Sequence, residues 1–357
     1  MFQKALWLQT YKQSKYIVWL FWLVNFYILS CRYYLASVKQ LNYFHDNMKW
    51  NYRFHYNYIF PEETIVIQGA LVIVLGCVLI GWERHNQSIE LLWSMPFKRT
   101  HIFLTKWLFG VCNIMSVLVL NWGIFAILKK TTFHNKYQIF SPFHYYFLYA
   151  AIVLVAIYTL TLCIGTIAGN IVSQGLLTTI VLILPFVLSL LIAGFISVHT
   201  NNSYANTYKQ ENAYMNNVEK FTVFSPMMHF QIYFNYAPQY AGTDDKTSKQ
   251  INEPNYSSIP SLWTLISPIL YTLILLPLSA YLYARSPNEQ NGKILLFPKL
   301  QKIFIVCTVI CFALFGARLL GGINSLVSYY IGFLGTGGIT YLILSRLLKW
   351  RFSLVGR

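Results

Sequence analysis

The sequence predicts an all-α polytopic membrane protein with about eight transmembrane helices. Three observations carry this. The 357 residues are 56% hydrophobic and 11% charged, where a soluble domain carries about a quarter charged residues. Apolar runs of about 20 residues recur along the whole chain, the length of helix that crosses a bilayer. The formal net charge is +16, with Lys and Arg gathered in short segments between the runs, as in loops on the inner side of a membrane. In a soluble protein that charge would point to nucleic acid; the apolar runs set this aside, and no nucleic-acid partner is expected.

Taken in order, residues 1–15 (MFQKALWLQTYKQSK) set Phe2, Leu6 and Trp7 against Lys4, Lys12 and Lys15. This predicts a basic amphipathic helix lying on the inner membrane surface. A first span covers about 16–36. Its basic start, apolar core and Ala36–Ser37 share features with a signal peptide, but its aromatics, Asn25 and Arg32 favour an uncleaved span. A polar loop (about 37–62) and a second span (64–82) follow. Next comes ERHNQSIELLWSMPFKRTHIFLTKW (83–107), a polar segment between two apolar runs. The third span is about 102–128 and the fourth about 145–168. A short link, Gly169 to Gly175, joins it to the fifth, about 176–198. A long polar segment, 199–258, precedes the sixth span at about 260–284. A basic link at 285–302 leads to two last spans, 303–320 and 325–345, and a tail with Arg346, Lys349, Arg351 and Arg357.

Charge sets the orientation. With the N-terminus inside, eight spans return the C-terminus to the same side. The inner segments then hold most of the Lys and Arg but only Glu83, Glu90 and Glu289 among the acids, as the positive-inside rule requires. Lys129, Lys130 and Lys136 on the outer side run against this trend. The expected location is the plasma membrane, multi-pass, with both termini cytoplasmic. The chain divides into a surface helix (1–15), a six-span core (16–284) and a basic link with two further spans (285–357). Gly165 with Gly169, and Gly332, Gly335, Gly337 and Gly338, let helices approach closely. Pro185, Pro268 and Pro277 are expected to kink their spans.

The span interiors hold almost no ionisable groups, which weighs against a membrane enzyme or a proton-coupled carrier. Asn25, Gln68, Asn113 and Asn121 read as inter-helix hydrogen-bonding residues, and Arg318 as a snorkelling cation. Paired carboxylates, an HExxH and a nucleophile elbow are all missing, and His134 and His144 make a poor metal pair. No catalytic, cofactor or metal residues are expected. The six cysteines all fall in apolar runs, against a disulfide or zinc framework. With no G-x-x-x-x-G-K-[ST] phosphate loop, the chain needs a separate subunit if ATP drives it.

In 83–107, Asn86 or Ser88 can cap a short helix. Ile89, Leu92 and Trp93 then share one face, and Pro96 ends it. Such a helix either docks in a groove of a soluble partner or rests on lipid. Glu83, Leu92, Ser94, Pro96, Lys98, Arg99 and Lys106 together resemble the segment after the second span of type-2 ABC transporter permeases: an acid leaving the span, Leu-x-Ser-x-Pro, basic residues, then a Lys entering the third span. The resemblance covers roughly 1–284. In YLYARSPNEQNGKILLF (281–297), Arg285, Glu289 and Gly292 resemble the Arg-x-x-x-Glu-x-x-Gly pattern of a Gram-positive branch with two extra spans. The long 199–258 segment departs from compact members.

The resemblance implies a permease subunit of an ATP-driven exporter moving an amphipathic, lipid-like or peptide substrate. Its partners would be an ABC ATPase subunit that binds the ATP, a second permease copy or paralogue, and the bilayer. Residues 84–97 would be the coupling helix, with Glu83, Ile89, Leu92, Trp93, Pro96, Lys98 and Arg99 serving ATPase coupling and Arg285, Glu289 and Gly292 the second link. Glu83 would pair with a cation of the partner or surface helix, or stand as a solvated helix-end charge. A membrane sensor or immunity protein that binds amphipathic peptides without transport is the alternative. In 199–258, SPMMHFQIYF reads as a re-entrant helix, a lid, or a structural cap.

Overall fold

The computed structural model describes residues 4–50, 54–85, 93, 96–200, 204–236, 259–287, 294–321 and 326–347. Among them are eight helices long and apolar enough to cross a membrane, so the chain is an all-α polytopic membrane protein. The helices are α1 (Lys4–Phe26), α2 (Arg32–Lys49), α3 (Glu63–His85), α4 (Arg99–Thr131), α5 (Ser141–Ile167), α6 (Ile171–Thr200), α7 (Tyr204–Glu219), α8 (Ser225–Met228), α9 (Ile266–Arg285), α10 (Pro298–Gly321) and α11 (Leu326–Leu347). Two four-residue strands, β1 (Tyr56–Ile59) and β2 (Tyr233–Tyr236), complete it.

The first helix departs from expectation. No break separates a surface helix at 1–15 from the first span. One rod of 46 residues runs from Lys4 to Lys49, through a single π-helical turn at Tyr27–Cys31 that joins α1 to α2. That stretch contains neither Gly nor Pro, so nothing in it stops a helix. Leu6, Thr10, Ser14, Val18, Phe21 and Asn25 form its buried stripe. Thr10 and Ser14 enter the stripe because each hydroxyl donates to the carbonyl four residues back, at 2.8 Å.

α5 is the central helix, packed by α3, α4, α6 and α9. It approaches α4 at Gly110, where Tyr158 fills the space a Cβ would need. The polar residues of the spans find one another across helices. Gln68 Nε2 donates to Asn25 Oδ1 (2.9 Å), and the Tyr146 hydroxyl to Gln68 Oε1 (3.0 Å). Ser30 donates to Asn121 (2.7 Å), and the Trp22 indole to Asn113 (3.4 Å). Pro185 and Pro277 lie inside α6 and α9. Pro268 instead falls in the first turn of α9, where its missing N–H disrupts nothing. The terminal hairpin of α10 and α11 closes tightly at Gly316 and Gly332 and leans on α6. Arg318 does not snorkel to lipid; its guanidinium donates to the Leu190 carbonyl of α6 at 2.8 Å. His199 meets the Tyr330 hydroxyl at 2.8 Å.

The segments between the first and second spans and between the fifth and sixth hold a pairing that the sequence analysis does not predict. β1 and β2 form an antiparallel ribbon, Tyr56 facing Tyr236 and Ile59 facing Tyr233. It stitches the stretch between α2 and α3 to the 199–258 segment, and the polar loop expected at 37–62 is helical as far as Lys49. SPMMHFQIYF is thus a short helical turn leading into a strand. Tyr56, Tyr58 and Phe60 point inward at alternate positions, as a strand requires. They join a collar of Tyr33, Phe125, Phe133, His134 and Phe143. His134 is fully buried. Its Nε2 faces the Tyr33 carbonyl at 3.1 Å and its Nδ1 the Tyr56 hydroxyl at 2.6 Å. The carbonyl can only accept, so Nε2 carries the proton and Nδ1 accepts from Tyr56. Gln138 closes the ring, donating to Tyr56 and accepting from the Tyr33 hydroxyl at 2.7 Å.

Burial pulls the His134 pKa down to about 4 from 6.5. The folded collar therefore holds a neutral imidazole that protonates more readily once unfolded. Collar stability should be level from pH 8 to 7, then fall as pH drops through 6.5 toward 4. The total loss is about 3 kcal/mol. Hydrogen exchange of the β1 amides across this range measures it, and His134→Gln should flatten the dependence. An unchanged slope in that variant would refute the assignment.

Candidate functional site

The segment after the second span is anchored by charges that complete helix ends. The last turn of α3 carries Glu83 and Arg84, each only 2% exposed. Lys106, in the second turn of α4, is equally buried. Its ammonium pairs with Glu83 Oε2 and donates to the Leu79 carbonyl at 2.8 Å. Arg84 turns the other way, to the C-terminal end of α5. It donates to the Ala168 carbonyl at 2.9 Å, the Thr166 carbonyl at 3.4 Å, and Ser286 Oγ, just past α9, at 3.3 Å. Arg99, the first residue of α4, donates to the Ala284 carbonyl of α9 at 3.2 Å.

A common logic runs through these contacts. The last carbonyls of a helix lack intrahelical partners and carry the negative end of its dipole. Arg84 and Arg99 bring cations to the C-terminal ends of α5 and α9, and Lys106 adds a donor to the Leu79 carbonyl one turn inside the end of α3. Two spans thus end on side chains from neighbouring helices. Trp93 is seated in the same junction: the Arg99 guanidinium lies 3.8 Å from its ring centroid, and Tyr283 of α9 meets it edge-on at 6.0 Å. Tyr283 is fully buried, with the Lys106 ammonium 6.0 Å from its ring.

The second link returns to the same place. Leu295 bridges Ala168 in antiparallel fashion. Leu296 N–H donates to the Ile167 carbonyl at 2.9 Å, and Gly169 N–H to the Ile294 carbonyl at 3.4 Å. The turn between α5 and α6 is shorter than the expected Gly169–Gly175 link. Asn170 starts α6 at once, its Oδ1 accepting from Ser173 N–H at 2.7 Å in the manner of an N-cap.

The residues singled out from sequence fall in three groups. Glu83, Trp93 and Arg99 come together, but inward. Glu83 is not a solvated charge, because Lys106 takes up its carboxylate inside the chain. Trp93 is half-buried against Tyr283 instead of standing on an exposed face. Pro96, Lys98 and Arg285 are exposed, with Arg285 lying over the Tyr281 ring at 4.3 Å. Ile89, Leu92, Ser94, Glu289 and Gly292 lie outside the described residues. Arg84, Tyr283 and Ser286 were missed as site residues. Arg84 stands beside Glu83 in the quoted segment, but its destination on α5 left no signal there. Among the described residues no group of His, Cys, Asp or Glu is placed to hold a metal.

Among the described residues the junction offers no nucleophile or acid–base pair facing a cavity. What it offers is mechanical: Trp93 and Arg99, the ends of α3, α5 and α9, and Ile294–Leu296 of the second link share one set of contacts. Among known proteins, the family model described as ABC-2 family transporter protein matches residues 10–287, ending where the second link begins. The probable ABC transporter permease YtrC of Bacillus subtilis (strain 168) is 21% identical over 280 residues, 76% of this chain and 72% of its own length. The probable ABC transporter permease YtrD of the same organism is 24% identical over 277 residues, 76% of this chain and 74% of its own. No solved structure matches.

Proposed function

The chain belongs to the ABC-2 family of transporter proteins, and from that premise we propose that it is the permease subunit of an exporter driven by a separate ABC ATPase. The substrate is amphipathic, lipid-like or a peptide. The functional unit pairs this chain with a second copy or a paralogue in the plasma membrane, both termini cytoplasmic. The observation that carries the reading is the junction. A segment between two spans is held by Trp93 and Arg99 on α9 and by the buried Glu83–Lys106 pair on α3 and α4. Force applied to such a segment passes directly into the ends of four spans. Ile89, Leu92 and Trp93 are the residues proposed to meet the ATPase or to hold the helix that does. Pro96, Lys98 and Arg285 remain at the surface for the same contact.

The test is copurification from mild detergent. The tagged chain should carry a stoichiometric ATPase, and Leu92→Asp should reduce it at least about tenfold, a loss of about 1.4 kcal/mol, while the permease still elutes as one folded species. Trp93→Asp should do the same, with an added loss of stability because Arg99 and Tyr283 both lose a partner. A folded wild-type chain that carries no ATPase would sink the proposal and favour a peptide-binding sensor or immunity protein.

A further inference from the structure

At the far end of α4 and α5 from the junction lies an apolar groove of about 280 Å³. Met115, Leu118, Val119, Phe147 and Leu148 wall it, and Trp122 and His144 close one end. It opens sideways, with Val119 56% and Leu148 48% exposed. Counting from Ile102, where the third apolar run begins, Trp122 lies about 30 Å along the helix, the thickness of the hydrocarbon layer. The closed end therefore sits at the membrane boundary, the depth that tryptophan favours.

Three features give that end a sign. The Trp122 indole donates to His144 Nδ1 at 2.9 Å, so the neutral imidazole carries its proton on Nε2 and offers a donor there. Lys129 follows Trp122 by seven residues, on the same helix face, with Lys130 beside it; Lys129 donates to Asn135 Oδ1 at 3.0 Å. From Arg99 to Ile167 the chain holds no Asp or Glu. An apolar slot open to the bilayer thus leads to cationic and N–H donors, with no carboxylate on α4, α5 or the turn that joins them.

We propose that this groove binds one acyl chain of an anionic phospholipid, whose phosphate sits at the end formed by His144, Lys129 and Lys130. Acyl burial holds the lipid and the basic end selects its headgroup. The site stands apart from the junction and needs no ATPase, so its failure would leave the transport reading untouched.

The experiment places the purified full chain in nanodiscs of equimolar phosphatidylglycerol and phosphatidylcholine and counts retained lipids by native mass spectrometry. The wild type should retain one phosphatidylglycerol in preference to phosphatidylcholine by about tenfold. Val119→Trp, which fills the groove from an exposed position and spares the fold, should abolish retention of that lipid. Lys129→Gln with Lys130→Gln should keep a retained lipid but lose the preference. Equal retention of both lipids by the wild type, or undiminished retention in Val119→Trp, would overturn the proposal.

Discussion

Replacing Lys106 by methionine should destabilise the protein by about 3–5 kcal/mol, the cost of leaving one member of a buried ion pair without the other. Glu83 and Lys106 are each about 2% exposed, so neither can recruit water in its partner's absence. The variant also strips the Leu79 carbonyl of its extra donor. A lowered thermal midpoint in detergent, with loss of the folded gel-filtration peak, is the expected result. The double variant Glu83→Met with Lys106→Met removes both charges and should recover most of the loss, since an apolar replacement of a buried pair is often close to neutral. That variant isolates the function of the pair. It should fold and assemble with the ATPase, whose ATP hydrolysis persists, while transport per ATP falls by about tenfold, the equivalent of about 1.4 kcal/mol of coupling. Glu83→Ala alone mixes the two effects, because it strands a buried ammonium. A Lys106→Met protein as stable as the wild type would show that the pair is not formed.

Gly110→Val should be nearly as severe. A Cβ at Gly110 would lie 2.1 Å from Tyr158 Cζ and 2.2 Å from its hydroxyl oxygen. Tyr158 cannot yield cheaply: it is fully buried, and its hydroxyl donates to the Lys106 carbonyl at 2.8 Å. The expected cost is about 3 kcal/mol, from overpacking together with a buried hydroxyl left unpaired. Gly123, on the same helix, is the matched control. Nothing lies within 4 Å of a Cβ there, so Gly123→Ala should be neutral or stabilise by up to about 1 kcal/mol through helix propensity. Equal midpoints for the Gly110 and Gly123 variants would show that α4 and α5 are not in contact at Gly110.

The spans were legible because the bilayer imposes a length and a composition that any 20-residue window reveals. Asn25, Gln68, Asn113 and Asn121 were legible as a class, since an amide in hydrocarbon needs a partner. Which partner each took was not, because pairing depends on how the helices rotate against one another. The join at 15–16 misled for a definite reason. A change from basic to apolar composition marks a change of solvent, whereas a helix ends only where the backbone is interrupted, and no Gly or Pro interrupts it there. YNYI and YFNY were unreadable as strands: each is four residues long, and they find one another across about half of the chain without a hairpin turn to announce them. The junction was half legible. Glu83, Trp93, Arg99 and Lys106 were singled out by their pattern. That the first two turn inward depended on Lys106 and Tyr283 arriving from other helices.

The unbroken rod formed by α1 and α2 has a geometric consequence. At 1.5 Å per residue it is about 70 Å long, more than twice the hydrocarbon thickness. Near one end Gln13 reaches the Val78 carbonyl at 3.3 Å, a turn before Glu83; toward the other, Tyr33 stacks on Phe125 and holds the His134 ring of contacts. A stiff beam of that length magnifies small rotations. A tilt of about 5° carries one tip about 6 Å relative to the other, roughly the pitch of one helical turn. Its single softer point, the π-helical turn at Tyr27–Cys31, is pinned by Ser30 to Asn121. A rotation of the beam about that turn would carry its two tips in opposite directions.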